Sequence, residues 1–359
     1  MRRLSSSNAV PGMVLGRTVF DSSGRAVCLE GEALDSGAVT RLSIYGIREV
    51  FIEDPRLQDI HVEPAVAPEI EAEAERALKE LTAECYGEPH LDGTLLDQAV
   101  RPVSVMAQRM FPVLLGDPNT APCTSPDEAH SRTPARAAGL AALLAAKCGM
   151  GPEGAETAGL AALLMDIGYI RIAADVPAGR VPGALVRAKG MQKHPAHGYL
   201  LLKESLPARP GVAQAVLEHH ERADGSGYPR ALKGREMSRA GRVVAVVDAF
   251  FELVTPVPGI RPMLRHQAVE YLMAYGGQLF DPEVVDAFAR NVPAYPAGVL
   301  VTLNTGESGV VADTGSGHVG RPVVRVLFND MGYEVARPYD LDLADSKERD
   351  RMITGAPEY

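Results

Sequence analysis

The fold is indicated first by residues 156–165, which read ETAGLAALLM and lead directly into the carboxylate Asp166. Ala and Leu fill this stretch, and they fill residues 137–146 in the same way. The helix breakers Gly149 and Pro152 separate the two stretches, so the pattern predicts two apolar helices. Further helices are predicted at His197–Leu206, Val212–His220, Ala240–Leu253 and Gln267–Ala274.

The segments on either side of this helical region have a different character. Short β-branched runs with turn residues between them predict a small α/β module at the N-terminus and strands after Pro296. The predicted fold class is therefore mainly α, a helical bundle flanked by a small N-terminal α/β module and a small C-terminal β-rich module. The predicted boundaries are 1–65 for the α/β module, 66–123 for a helical linker region, 124–293 for the helical domain, 294–343 for the β-rich module and 344–359 for a polar tail.

Composition excludes several classes of protein. The formal charge of −10 over 359 residues argues against binding to DNA or RNA, which needs a basic surface. The longest apolar stretches, such as Ala137–Ala146, are shorter than the roughly 20 residues that span a bilayer. The four cysteines contain no CxxC pair, which is typical of a reducing compartment. A cytoplasmic protein without membrane partners is predicted.

Histidines are concentrated in the helical region. Two carboxylates, Asp166 and Asp248, lie on or at the end of apolar helices, where an Asp is costly unless it is paired or binds a metal. Imidazoles and carboxylates together suit Zn, Fe or Mn. A shared metal site is one interpretation, and a set of hydrogen-bonded core groups is the other. Five of the nine histidines belong to this group: His130, His194, His197, His219 and His220.

Two motifs resemble a known bacterial family. Residues 163–168, LLMDIG, are similar to the LLHDIG segment of HD-domain phosphohydrolases. Residues 219–221, HHE, followed by residues 224–229, DGSGYP, resemble the signature of the HD-GYP subfamily. The resemblance covers residues 125–290 and also includes His130, His194 and Asp248.

The resemblance implies an HD-type helical bundle and a hydrolase that cleaves cyclic di-GMP, a second messenger in bacterial signalling. It implies a site for two or three metal ions, and for this chain a divalent metal cofactor, Fe or Mn, is predicted as one or two ions. Asp166 is implied as the catalytic, bridging carboxylate, and a substrate-binding loop is implied at Gly227, Tyr228 and Pro229, with Arg261 as a further substrate contact. The implied metal ligands are His130, Asp166, His194, His219, His220 and Asp248.

The sequence departs from the family pattern at four positions. Met165 replaces the histidine of the HD pair, and Tyr169 replaces a nearby lysine. Val257 and Gly259 replace an arginine and a tyrosine expected near the substrate. Two hypotheses follow: an impaired cyclic di-GMP phosphodiesterase, or an inactive, metal-stabilised nucleotide-binding or scaffold protein that signals through a partner. The sequence is also compatible with a homodimer.

Overall fold

The computed structural model describes residues 2–20, 26–47, 49–60, 68–85, 90–116, 134–172, 190–255, 261–314 and 320–356. The prediction of a mainly α-helical chain with a β-rich C-terminal module is confirmed. The helices are α1 (Ser36–Ile44), α2 (Pro68–Glu84), α3 (Gly93–Gly116), α4 (Pro134–Lys147), α5 (Gly151–Leu164), α6 (Tyr169–Ile172), α7 (His194–Ser205), α8 (Pro210–Glu218), α9 (Arg239–Val254), α10 (Arg265–Ala274) and α11 (Pro282–Asn291). The strands are β1 (Arg2–Ser5), β2 (Val19–Phe20), β3 (Ala26–Cys28), β4 (Glu49–Ile52), β5 (Leu300–Leu303), β6 (Ser308–Asp313), β7 (Val323–Phe328), β8 (Glu334–Asp342) and β9 (Ile353–Gly355).

The chain divides into two compact units, and the first combines Met1–Glu63 with Pro293–Tyr359. Its N-terminal part pairs β1 with β4 and β2 with β3, both antiparallel. Its C-terminal part is a five-stranded antiparallel sheet in the order β8-β7-β6-β5-β9. Leu57 and Ile60 are buried against Val310 and Leu327 of this sheet, which joins the two parts in one apolar cluster.

Two segments of this unit are more ordered than the sequence indicated. The Pro-containing stretch 54–68 predicts a linker at the end of the α/β module, but its residues 54–60 contribute the buried side chains of Leu57 and Ile60 to the core. The chain after residue 343, predicted as a polar tail, contains β9, which pairs with β5 and completes the sheet. In both cases a few residues of a polar segment pack against, or pair as a strand with, residues that are distant in the sequence.

The second unit, Pro64–Pro122 with Glu128–Val292, is helical and is built around α5. This helix contacts α3, α4, α8 and α9, and its residues from Ala158 to Leu164 are all buried. Ala, Gly and Leu therefore occur on every face of this half of the helix, because none of its faces contacts water. α2 and α3, in the region predicted as a linker, pack with α4 in this unit. None of the described helices combines the length and hydropathy that a bilayer span requires.

The turn that follows α5 allows another helix to approach very closely. Gly168 lies against the N-terminal end of α7, where an added Cβ would be 2.5 Å from the backbone nitrogen of Gly198 and nearer still to the carbonyl oxygen of His194. Only glycine fits such an approach of two backbones. This contact places the first residue of α7, His194, beside the residues that follow α5.

Candidate metal centre

Three imidazoles meet between the N-terminal end of α7 and the C-terminal end of α8. His194 is the first residue of α7, and His219 and His220 follow the last residue of α8. All three side chains are buried, with His194 and His219 at 0% exposure. The Nε2 atoms of His194 and His219 are 2.9 Å apart, and the three residues can each offer a nitrogen within 4.8 Å of the other two.

The backbone fixes the protonation of two of these rings. Nδ1 of His194 lies 2.8 Å from the carbonyl oxygen of Met191, and Nδ1 of His219 lies 2.6 Å from that of Val216. A carbonyl oxygen can only accept, so Nδ1 carries the proton in both rings and Nε2 of each neutral ring presents a lone pair. Two lone pairs that face each other at 2.9 Å repel unless a cation or an added proton lies between the nitrogens.

Burial makes the added proton unfavourable. The pKa of His194 is lowered from 6.5 to about 4 by burial and by neighbouring His219. The pKa of His220 is lowered well below its usual value by burial, with His219 and His194 adding to the effect. Neutral imidazoles whose Nδ1–H groups bond to backbone carbonyls are the usual form of histidine metal ligands. This donor set therefore fits a divalent metal ion.

Two carboxylates flank the histidines on opposite sides. Asp166 follows α5, and its Oδ1 lies 3.6 Å from Nε2 of His194 while 44% of its side chain stays exposed. Asp248 lies in the middle of α9, fully buried, and its Oδ2 is 3.2 Å from Nδ1 of His220. A second group of donors forms here, because His220, Asp248 and Glu252 can place ligand atoms within 4.8 Å of one another.

The predicted substrate loop is anchored next to the histidines. Glu221 is fully buried, and its carboxylate accepts hydrogen bonds from the backbone nitrogens of Arg230 (2.7 Å) and Leu232 (3.0 Å). Tyr228 stacks on His220 with ring centroids 4.8 Å apart, and its backbone nitrogen donates to the carbonyl oxygen of His220. Gly227 and Pro229 on either side of Tyr228 are thereby held within the same loop.

The metal-free protein is expected to lose stability as the pH falls. Because the pKa of His194 is about 4 in the folded protein and near 6.5 when unfolded, only the unfolded state is protonated between these values. The contribution of His194 to the free energy of unfolding is thus fully present above about pH 6.5. It decreases by roughly 3 kcal/mol as the pH falls toward 4. Urea unfolding in the presence of a chelator at pH 7.5 and pH 5 measures the change.

Matched variants assign this pH dependence to the buried ring. His194→Gln removes one titrating group and is expected to reduce the dependence, while His220, whose pKa is also lowered, keeps part of it. His90→Gln changes a histidine whose side chain is 70% exposed, and it is expected to keep the dependence unchanged. Equal stability of the unmodified protein at pH 7.5 and pH 5 would contradict the assignment.

Comparison with known proteins places this site in a family. Residues 124–284 match the family model described as HD domain, and residues 300–354 match the model described as KOW domain associated with HD domain. The cyclic di-GMP phosphodiesterase PA4108 of Pseudomonas aeruginosa is 32% identical over 202 residues, 56% of this chain and 48% of that protein. The response regulator RpfG of Xanthomonas campestris, named as a cyclic di-GMP phosphodiesterase, is 38% identical over 154 residues, 42% of this chain and 40% of that protein.

A third relative gives the same result. A cyclic di-GMP phosphodiesterase of Thermotoga maritima is 36% identical over 166 residues, 45% of this chain and 44% of that protein. These matches support the HD-GYP family for the helical domain. The HD domain family is metal-dependent, and the described residues contain a candidate His/Asp metal site. The chain spans less than half the length of each of these relatives.

The structure brings together most, but not all, of the residues assigned to the HD-GYP site. Asp166, His194, His219, His220 and Asp248 converge as described above. His130, Val257 and Gly259 lie outside the described residues. Arg261 is exposed at the start of the segment before α10.

The two HD-GYP replacements next to Asp166 differ in their surroundings. Met165 is 2% exposed at the end of α5. Tyr169, in place of the family's lysine, stacks on His194 with ring centroids 4.2 Å apart and an interplanar angle of 18°. The chain therefore places a neutral aromatic ring against a candidate metal ligand where the family pattern has a cation.

Sequence reasoning missed three contributors to this HD-GYP site. The stacking of Tyr169 on His194 had no signal in the sequence, because it depends on the approach of α7 to Gly168. The anchoring role of Glu221 is also a tertiary feature, since it bonds residues nine and eleven positions further on. Glu252 did have a signal: it lies four residues after Asp248, a spacing that puts both carboxylates on one face of a helix.

Proposed function

We propose that this chain is a metal-dependent phosphodiesterase of cyclic di-GMP whose turnover is slow. The observation that carries the proposal is the pair of buried Nε2 atoms of His194 and His219, which face each other at 2.9 Å beside two carboxylates. The names of the relatives support cyclic di-GMP as the substrate. Because the chain spans under half of each relative, the activity is a proposal about this chain and not a transferred property.

The proposed cofactor is Fe or Mn, as one or two ions. His194 and His219 would hold an ion through Nε2, with Asp166 as the bridging carboxylate, and His220 and Asp248 would complete the centre. His130, which lies outside the described residues, belongs to the same proposed ligand set. A divalent ion at this position supplies Lewis-acid chemistry, since it polarises a phosphoryl oxygen and promotes loss of a proton from water.

The chain's own residues would orient the substrate. Tyr228 covers one face of His220, and burial together with the charges of Glu252 and Asp248 raises the pKa of its phenol. The phenol therefore stays protonated and can donate a hydrogen bond to a phosphate oxygen. Arg222, whose guanidinium donates to the carbonyl oxygen of Glu221 at 2.9 Å, supplies a fixed positive charge next to the loop.

Slow turnover follows from the two replacements that flank Asp166. Met165 offers a thioether, a soft donor that matches hydrolytic metals poorly. Tyr169 provides no positive charge for the phosphate. Loss of one preorganised electrostatic group typically lowers a rate by about 10²–10³-fold.

A second candidate function is supported by the same replacements. The stacked Tyr169 adds packing to His194 but removes charge, which suits a site that binds a nucleotide without cleaving it. In that case the protein would be a metal-stabilised nucleotide-binding or scaffold protein that signals through a partner protein.

Turnover and binding measurements separate the two candidates. The protein is loaded with Mn²⁺ or Fe²⁺ without oxygen and incubated with cyclic di-GMP, and the linear dinucleotide is quantified by chromatography. We expect slow formation of product that stops with a chelator and in His219→Ala. Tight binding of cyclic di-GMP by calorimetry with no product under any metal would favour the second candidate and contradict the first.

A further inference from the structure

The second donor group in the helical domain is formed by His220, Asp248 and Glu252. These residues can place one ligand atom each within 4.8 Å of one another. Glu252 is not among the positions to which the family resemblance assigns a ligand, although its spacing from Asp248 puts both carboxylates on one face of the helix. Its place in this donor group comes from the structure.

The three residues approach the same point from two elements. Asp248 and Glu252 are four residues apart on α9, so they lie on one face of the helix, one turn from each other. His220 comes from the segment after α8, and its Nδ1 is 3.2 Å from Oδ2 of Asp248. Ligand atoms around one divalent ion lie about 3–4 Å apart, so these donors need only a small side-chain movement to share an ion.

The carboxylate of Glu252 lies on the side of α9 that faces the site, since it can place an oxygen within 4.8 Å of donor atoms of His220 and Asp248. Tyr228 stacks on His220. An exposed glutamate on a helix is most often a solvated residue, but this one faces the loop and the imidazole that border the centre.

The chemistry of this group differs from that of the histidine cluster. Two carboxylates and one imidazole make a harder donor set than three imidazoles, and such sets suit Mn²⁺ or Fe²⁺. Met165, which directly precedes Asp166, replaces a histidine donor that the family pattern supplies. The sequence thus shows the loss of one ligand and the gain of another at the same centre.

We infer that Glu252 is a metal ligand in this protein and that, with His220 and Asp248, it holds one ion of the centre. The carboxylate of Glu252 restores the number of donors that Met165 reduces, and it brings a negative charge where the family's histidine would be neutral. This inference rests on the proposal that the site holds metal, but it does not depend on whether any phosphodiester is cleaved.

The inference is tested by measuring how many Mn²⁺ ions the Glu252→Gln variant binds and with what affinity. Purified, metal-free full-length protein is titrated with Mn²⁺, and free Mn²⁺ is followed by its electron paramagnetic resonance signal. Bound metal after desalting is measured by mass spectrometry. We expect Glu252→Gln to weaken the affinity for one class of ion by at least about 10–100-fold while the remaining class is kept. Glu252→Ala is expected to give the same result.

Glu270→Gln is the matched control. Glu270 is an exposed glutamate on the neighbouring helix α10 and belongs to neither donor group, so its variant is expected to bind Mn²⁺ like the unmodified protein. Unfolding of each variant without metal shows that the protein is intact. Full binding of Mn²⁺ at unchanged affinity by both Glu252 variants would overturn the inference.

The Mn²⁺ binding of the Glu252 variants can be interpreted independently of the cyclic di-GMP turnover assay. If the unmodified protein binds Mn²⁺ but forms no product from cyclic di-GMP, the proposed activity fails while the metal counts still decide the role of Glu252. If product forms and both Glu252 variants keep their full metal load, the activity stands and the inference fails.

Discussion

Met165→His is expected to raise the rate of cyclic di-GMP hydrolysis by about 10²-fold. The residue directly precedes Asp166 and is 2% exposed, so an imidazole here adds a buried donor beside the bridging carboxylate. The added ring restores the HD pair of the family pattern. Initial rates of product formation with saturating Mn²⁺, together with bound metal per chain, measure the gain.

Met165→Leu is the control for this substitution. Leucine keeps the volume and apolar character of the methionine and offers no donor, so rate and metal content are expected to stay unchanged. A Met165→His protein that folds and binds more metal but hydrolyses no faster would show that the missing histidine is not what limits the reaction. The second candidate function, binding without cleavage, would then gain support.

Gly227→Ala is expected to lower turnover by about 10²-fold and to weaken nucleotide binding. An added Cβ would lie 2.5 Å from the carbonyl oxygen of His220 and still closer to the backbone of Glu221 and Arg222. All three neighbours are backbone atoms, which cannot rotate away, so the loop itself must shift. A displacement of about 1 Å in a positioning element can cost 10²-fold in rate, and overpacking costs about 1–3 kcal/mol of stability.

Gly190→Ala provides a glycine substitution without this conflict. Among the residues that the structure describes, none lies within 4 Å of an added Cβ at Gly190, and the residue has ordinary helical backbone angles. Its turnover, calorimetric affinity and unfolding midpoint are expected to match those of the unmodified protein. If Gly227→Ala also matched it in all three, the loop would not need the close backbone approach for its function.

The local structure of the helical domain was predictable because it follows from short-range rules. The Ala- and Leu-rich runs predicted α4 and α5, and Asp166 was placed correctly just after α5, but α5 begins at Gly151, five residues earlier than predicted, with Pro152 in its first turn. The N-terminal module was less predictable. Val14–Phe20 reads as one strand, but only Val19–Phe20 forms one, while Val14 and Leu15 make isolated bridges to Ala33 and Ile52.

The sequence by itself determined the donors and their chemical class. Adjacent His219 and His220, the DGSGYP loop and the carboxylates at helix positions are visible without a structure, because motifs of this kind are contiguous. Met165 and Tyr169 are equally visible as departures. The ligand roles assigned to these residues, including His130 and Arg261, stay predictions until metal and substrate binding are measured.

Only the tertiary structure decided how these donors face one another. The contact at Gly168 sets His194 against His219 across 25 residues of chain, and two backbone carbonyls fix which nitrogen of each ring is free. Likewise, Glu252 is an ordinary helix residue in the sequence and joins the centre only because α8 delivers His220 to the same face of α9. Such distances depend on the packing of many residues, which no local pattern encodes.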